Sequence, residues 1–202
     1  MPLTITEKKL LLGEGKDEVR FFNALLAHLG ISDIQVTDYG GKTRLKDYLE
    51  ALAQTPGFGG LASLAITRDS DTDAAATFAS VRDALANVAL PVPSSHGQLA
   101  GTNPKVGVWI LPDGNSPGML EDLCMASVQT DLAVSCVDEY FQCVQNRAAR
   151  QPNHAAKAKA RLHVWLASQI EPDKRLGEAA EKGYWPWNAT VFQPLIQFLQ
   201  AL

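Results

Sequence analysis

The sequence is poor in cysteine and lacks the features that direct a protein to a membrane. Its three cysteines are an odd number and form no Cys-x-x-Cys pair, so the sequence predicts no structural zinc site. We expect Cys124, Cys136 and Cys143 to be reduced and buried among apolar neighbours. No apolar run is long enough to span a bilayer. No basic segment followed by an apolar stretch occurs near the first residue, so we expect a cytoplasmic protein without a signal peptide.

An excess of positive charge is also missing. The net charge is -4 and the sequence pI is about 5.5, which counts against a protein that attracts nucleic acid through a global basic field. This balance does not exclude a metal-dependent nuclease, because bound cations reverse the local charge of a carboxylate cluster. The composition, 46% hydrophobic and 20% charged, indicates a folded globular protein.

Short apolar strands alternate with helical patterns over the first part of the chain. Strands are predicted at residues 9–13, 34–37, 61–67 and 106–111, and a helical stripe follows each of them. This order predicts an α/β fold, a doubly wound and mainly parallel sheet of about four strands with helices on both faces. We assign this core to residues 1–130. Residues 94–104 are rich in glycine and polar residues and predict an exposed loop.

The strand signal fades after residue 130. Helical patterns at residues 136–145, 155–167 and 191–202 predict a helical C-terminal extension, over residues 131–202, that packs on the core. The aromatic run 184–187, with the sequence YWPW, could stack against nucleic-acid bases. More commonly such a run packs against a core or at a subunit contact, and we favour that interpretation.

Acidic side chains follow three of the four predicted strands. Glu14 follows the first strand, Asp69 and Asp71 follow the third, and Glu121 lies beyond the fourth. Because the carboxyl ends of parallel strands meet at one edge of a sheet, we expect these carboxylates to lie close together. Their repulsion would be costly unless they share a cation, and Mg²⁺ or Mn²⁺ prefers such oxygen ligands. The sequence therefore predicts a metal site.

Each acid taken alone has a simpler explanation. Glu14 and Glu121 lie near helix starts, where negative charge complements the helix dipole. Glu18 could share a helical face with Glu14 or be a solvated surface residue. Asp73 is best explained as a helix N-cap. The triplet Asp69, Asp71 and Asp73 also matches the start of an EF-hand loop, but that loop's invariant glycine and closing glutamate are absent.

One segment of the chain is basic. Between residues 141 and 170 there is no acidic residue, so this segment could hold a nucleic-acid backbone. A solvated helix face that pairs with acids elsewhere explains it equally well. The candidate nucleic-acid-binding residues are Arg147, Arg150, Lys157, Lys159 and Arg161.

Several motifs resemble those of a known family. Residues 11–18 read LLGEGKDE and residues 66–71 read ITRDSD, which resemble the two acidic motifs of Toprim domains. The segments 39–42 (YGGK), 110–113 (ILPD), 118–122 (GMLED) and 182–187 (KGYWPW) extend the resemblance over nearly the full length. The chain thus resembles a family of uncharacterised bacterial Toprim-like proteins, related to the Toprim domain of overcoming-lysogenization-defect nucleases.

This resemblance implies a Mg²⁺-dependent phosphodiester hydrolase that acts on DNA or RNA, in phage defence. It implies metal ligands at Glu14, Glu18, Asp69, Asp71 and Glu121, and catalytic roles for Glu14, Glu121 and Lys182. Many Toprim domains have a glycine shortly after the Asp-x-Asp motif, where this chain has Ala74. Since the chain carries no ATPase module, an ATPase or other partner would be a separate protein.

Three alternatives stay open. The domain could bind metal without catalysing a reaction of its own and act with a partner protein. It could also be a small-molecule phosphotransfer enzyme. The Asp69-Ser70-Asp71 run has some likeness to the nucleophile motif of haloacid-dehalogenase phosphatases, but here it follows the third strand and Asp73 stands where that motif has threonine.

Overall fold

A five-stranded, mainly parallel sheet forms the centre of the molecule. The structure, a computed structural model, describes residues 4–153 and 156–202. The sheet has the order β2-β1-β3-β5-β4, and β4 pairs antiparallel with β5 whereas the other pairs are parallel. The strands are β1 (Lys9–Gly13), β2 (Ile34–Asp38), β3 (Ser63–Asp69), β4 (Leu99–Ala100) and β5 (Lys105–Leu111).

This topology confirms the predicted doubly wound α/β fold. The difference is the edge strand β4, which lies inside the segment predicted as an exposed loop. It has only two residues, which is too short to produce an alternating pattern in the sequence.

Helices cover both faces of the sheet. They are α1 (Lys16–Leu29), α2 (Leu45–Ala53), α3 (Ala74–Asn87), α4 (Leu120–Ser127), α5 (Ala133–Ala148), α6 (Lys157–Ala167), α7 (Leu176–Glu181) and α8 (Gln193–Ala201). Short 3-10 turns lie at Lys42–Arg44, Phe58–Gly60 and Thr190–Phe192. Helix α7 was not predicted. The helix predicted to begin at residue 155 begins, within the described residues, at Lys157, and residue 155 itself lies outside them.

Strand alternation divides the interior into two cores. Even-numbered residues of β1, β3 and β5, such as Leu10, Leu64 and Val108, pack with α2 and α3. Odd-numbered residues such as Leu11 and Trp109 pack with α1 and with the helices that follow β5. Successive side chains of a strand point to opposite faces, so the near-continuous apolar run of β3 is buried on both sides, as parallel strands usually are.

The C-terminal helices share one core with α1 and α4. Buried residues of α5, α6, α7 and α8 belong to the same apolar cluster as those of α1, and Trp185 and Trp187 of the aromatic run are buried in it. The indole of Trp185 stacks on Trp165 with ring centroids 5.1 Å apart. The aromatic run therefore packs against the core. The division into two units at residue 130 stays a prediction.

One expectation about the cysteines is wrong. Cys124 is buried, but Cys136 and Cys143 are exposed. Both lie on α5, whose inner face carries Val134 and Val137, and the helical period turns the two thiols outward. Within the described part of the chain, no helix is both long enough and apolar enough to cross a membrane.

Candidate metal centre

The turn between β1 and α1 presents Glu14 and Glu18 at the carboxyl edge of the sheet. Gly15 is the N-cap of α1, and its amide donates to Glu18 Oε2 at 3.0 Å. A side chain at Gly13 would place its Cβ only 2.9 Å from the Cβ of Glu18, so glycine there allows β1 and α1 to approach closely. Glu14 follows the strand directly and is partly buried. This turn places one carboxylate on the loop and the other on the first turn of the helix.

The end of β3 is fastened to the loop between β5 and α4. The amide of Leu120 donates to Asp69 Oδ1 at 2.9 Å. The hydroxyl of Ser70 donates to the carbonyl groups of Ser116 and Gly118, at 2.9 and 3.1 Å. The amide of Asp71 donates to the carbonyl of Gly118 at 2.9 Å. These bonds hold the Asp69-Ser70-Asp71 segment against the start of α4, which carries Glu121.

The start of α4 brings in the fourth predicted carboxylate. Glu121 lies in the first turn of the helix and its side chain is 15% exposed. Lys159 on α6 approaches it, with Nζ 3.8 Å from Glu121 Oε1. The neighbouring Asp122 instead accepts from the amide of Met119 at 2.9 Å, so it caps the helix. Asp73 is the N-cap residue of α3, as predicted, and accepts from the amide of Ala76 at 2.9 Å.

Four acids at this edge of the sheet have raised pKa values. Burial raises the pKa of Glu18 to about 7, and the charges of Glu14 and Glu121 act in the same direction. Burial likewise raises the pKa of Asp69 well above its usual range, with Glu18 and Glu121 adding to the effect. The pKa of Glu14 and that of Glu121 are also raised, mainly by burial. These four residues, Glu14, Glu18, Asp69 and Glu121, are called the acidic cluster below.

Asp71 lies at the rim of the acidic cluster. It is exposed, has a left-handed backbone with φ of 53°, and pairs with Lys42 Nζ at 2.8 Å through Oδ2. Lys42 follows the two glycines after β2, and the amide of Gly41 donates to the carbonyl of Glu14 at 2.9 Å. The loop after β2 is thus attached to the turn that carries Glu14. The YGGK segment indicated this loop, but the sequence did not indicate that its lysine pairs with Asp71.

The donor set of the acidic cluster suits a hard divalent cation. It consists of carboxylate oxygens in a partly buried site, where like charges need a shared counter-ion. Among residues 4–153 and 156–202, Glu14, Glu18 and Asp69 form no ion pair with a lysine or arginine. In the same ranges, however, no three His, Cys, Asp or Glu side chains are already arranged to hold a metal ion. The carboxylates are neighbours, but their side chains do not form a coordination shell, so the metal site stays a prediction.

Lys182, the lysine assigned a catalytic role from the sequence, lies elsewhere. It is exposed at the end of α7 and pairs with Glu171 at 2.8 Å. Among the described lysines, Lys159 forms an ion pair with a member of the acidic cluster. Sequence reasoning had placed Lys159 only in the group of nucleic-acid-binding candidates, since nothing in the spacing links α6 to α4.

The predicted nucleic-acid-binding residues differ in their surroundings: some are exposed, some line a groove and some pair with acids. Arg147 and Arg150 are exposed at the end of α5 and just beyond it. Lys157 lines a groove of about 370 Å³ that reaches Asp71. Arg161 lines the same groove but pairs with Asp138 at 2.9 Å, and Lys159 pairs with Glu121. Two of the five cations are therefore partly neutralised by acids.

Fold and site define a mainly parallel α/β protein with a partly buried acidic cluster at the carboxyl edge of its sheet. The chain belongs to the family DUF3226, described as a protein of unknown function, which matches residues 8–202. A search of curated proteins found no match. The chain is also similar to a solved structure, the C-terminal region of the OLD protein of Xanthomonas campestris pv. campestris. The sequences are 13% identical and the TM-score is 0.42, over 98% of this chain and 99% of that one. A likeness of this degree supports no conclusion about chemistry.

Proposed function

We propose that the protein is a Mg²⁺-dependent phosphodiester hydrolase of the Toprim type, a nuclease acting on DNA or RNA. The observation that carries this proposal is the acidic cluster, four partly buried carboxylates on the turn after β1, the start of α1, the end of β3 and the start of α4, all at the carboxyl edge of the sheet. The pKa of each is raised, mainly by burial. The resemblance of residues 11–18 and 66–71 to the Toprim acidic motifs supports the same function and extends the proposal to phage defence.

The proposed ligands are the acidic cluster together with Asp71 at its rim. A bound Mg²⁺ or Mn²⁺ would neutralise the phosphodiester and lower the pKa of an attacking water. Glu14 is the proposed proton acceptor, because it lies on the open turn after β1 at the carboxyl edge of the sheet, and burial raises its pKa and so makes the carboxylate a stronger base.

A lysine beside the cluster would stabilise charge on the leaving oxygen. We assign this role to Lys159, whose Nζ lies 3.8 Å from Glu121 and whose side chain is 57% exposed. The catalytic role predicted for Lys182 from the sequence stays a prediction. Because Lys182 pairs with Glu171, away from the acidic cluster, Lys159 is the better candidate. Lys159→Met should reduce cleavage more than Lys182→Met does.

The test is cleavage of supercoiled plasmid and of single-stranded DNA and RNA, with Mg²⁺, with Mn²⁺ and with EDTA. We expect cleavage that depends on the metal and that falls about a hundredfold or more in Glu14→Gln and in Asp69→Asn. Asparagine at position 69 keeps the acceptor for the Leu120 amide, so the fold is preserved. The matched control is Glu50→Gln, at an exposed position of α2. Undiminished cleavage in both cluster variants would contradict the proposed site.

A second candidate is a metal-binding domain that needs a separate ATPase or other partner protein for activity. Two observations favour it: the described residues contain no preformed coordination shell, and Lys42 pairs with Asp71. In this case Mg²⁺ should raise the Tm of the wild-type protein and not that of Asp69→Asn, while no nucleic acid is cleaved. Cleavage by the isolated protein would rule this candidate out.

A further inference from the structure

A positively charged trough lies beside the acidic cluster, on the face of the sheet covered by α2 and α3. It has a volume of about 490 Å³ and lies between the 3-10 turn after β2, α2 and α3. Lys42, Lys46 and Arg68 provide its positive charge, and Asp83 is the acid in its lining. We call this surface the basic trough. The basic trough is positively charged although the whole chain has a net charge of -4.

Two cations of the basic trough have no acidic partner. In the described ranges, neither Lys46 nor Arg68 has a carboxylate oxygen within ion-pair distance. Arg68 instead donates to the hydroxyl of Ser80 at 3.2 Å, which holds the guanidinium over the trough. The cations of α6 differ in this respect, because Lys159 and Arg161 both pair with acids. An anion that enters the trough could therefore bind Lys46 and Arg68 without first displacing a carboxylate from them.

The basic trough is continuous with the candidate metal centre. Lys42 lines the trough and pairs with Asp71, and Asp71 lines the groove that also contains Lys157. Among the charged groups that lower the pKa of Glu14, Arg68 has the largest effect. Arg68 therefore lies close to the turn after β1. An extended anion that crosses the carboxyl edge of the sheet could therefore contact the trough and the acidic cluster together.

We infer that the basic trough binds the phosphodiester backbone of a nucleic-acid strand and guides it toward the acidic cluster. The inference rests on the proposed function and names the surface that would hold its substrate. The lining offers cations and polar groups but no aromatic side chain, so it can contact phosphates without stacking on bases. Binding through such contacts is electrostatic and independent of sequence.

The experiment measures binding without cleavage. Fluorescence anisotropy follows a labelled 20-nucleotide single strand, as DNA and as RNA of the same sequence, in buffer with EDTA over a range of salt concentrations. The test variants are Lys46→Ala/Arg68→Ala and, because Arg68 is partly buried, the single Lys46→Glu at an exposed position. The matched control is Lys8→Ala/Lys105→Ala, which removes the same charge from exposed positions at the opposite edge of the sheet.

Wild-type protein and control should bind both strands equally well. For the double variant, the slope of log K against log salt should fall by about 1.4, which is about 0.7 for each lost phosphate contact, and Lys46→Glu should weaken binding of DNA and RNA alike. An unchanged slope in Lys46→Ala/Arg68→Ala, or an equal loss in the control, would overturn the inference, as would absence of binding by the wild type. Failure of the proposed function would be seen separately, as absence of metal-dependent cleavage by a protein that still binds through the trough.

Discussion

Glu18 gives the sharpest test of the acidic cluster, because its charge should destabilise the metal-free protein. Burial and the neighbouring acids raise its pKa from 4.5 to about 7. The folded state therefore holds a proton that the unfolded state releases between these two pH values. The contribution of Glu18 to stability should fall as the pH rises from about 4.5 to about 7 and should be constant above that range.

The size of the effect follows from the pKa difference. At about 1.4 kcal/mol for each pH unit, the loss caused by Glu18 alone is about 3 kcal/mol. Glu18→Gln removes the charge and keeps an oxygen that can accept from the Gly15 amide. At pH 4.5 variant and wild type should be about equally stable. At pH 8 the variant should be more stable by about 3 kcal/mol, which is roughly 6–12 °C in Tm for a domain of this size.

Urea unfolding in EDTA, at several pH values from 4.5 to 8, measures this difference. Glu50→Gln is the control, since this exposed glutamate on α2 should leave the pH dependence unchanged. Adding Mg²⁺ at pH 8 should then stabilise the wild type more than Glu18→Gln, because a bound cation removes the repulsion that the substitution has already removed. Identical pH dependence of the wild type and Glu18→Gln would refute the reasoning.

Two further predictions concern the surroundings of the acidic cluster. Gly13→Ala should cost about 1–3 kcal/mol in urea unfolding, because its Cβ would lie 2.9 Å from that of Glu18, whereas Gly59→Ala meets open space and should cost far less. An equal cost for both would contradict the close approach. Lys42→Ala should tighten Mn²⁺ binding by about threefold in calorimetric titration, because it frees the Asp71 carboxylate from an ammonium 2.8 Å away. Weaker Mn²⁺ binding in this variant would show that Lys42 does not compete with the cation.

In the proposed function, the acidic site must accept a negatively charged phosphodiester. At its own position the acidic cluster would repel a polyanion, and a bound cation would reverse the field there, whereas the basic trough attracts a polyanion without metal. Lys42 is placed between the cluster and the basic trough, in contact with Asp71. In the proposed function, metal binding to Asp71 would release this ammonium for contact with substrate phosphate.

The sequence alone determined the α/β architecture and the strand ends that carry acids. Strands buried on both faces produce apolar runs, such as the one in β3, and glycine or acidic residues end them clearly. The sequence could place Glu14 and Asp69 at the same edge because a parallel sheet brings the carboxyl ends of its strands together. Elements with few local signals were missed: β4 has two residues, and α7 has six, too few for a helical stripe.

Only the tertiary structure decided which side chains meet. Helix α7 packs on α1, and its Gly177 amide donates to Asp17 Oδ1 at 3.3 Å, a contact across 160 residues that no local pattern encodes. The same holds for Lys159 beside Glu121 and for Lys42 beside Asp71. Periodicity and turn signals are local, and they show which carboxylates lie at the end of a strand. The charge that faces it depends on how distant helices pack, and this packing determined which lysine lies at the acidic cluster.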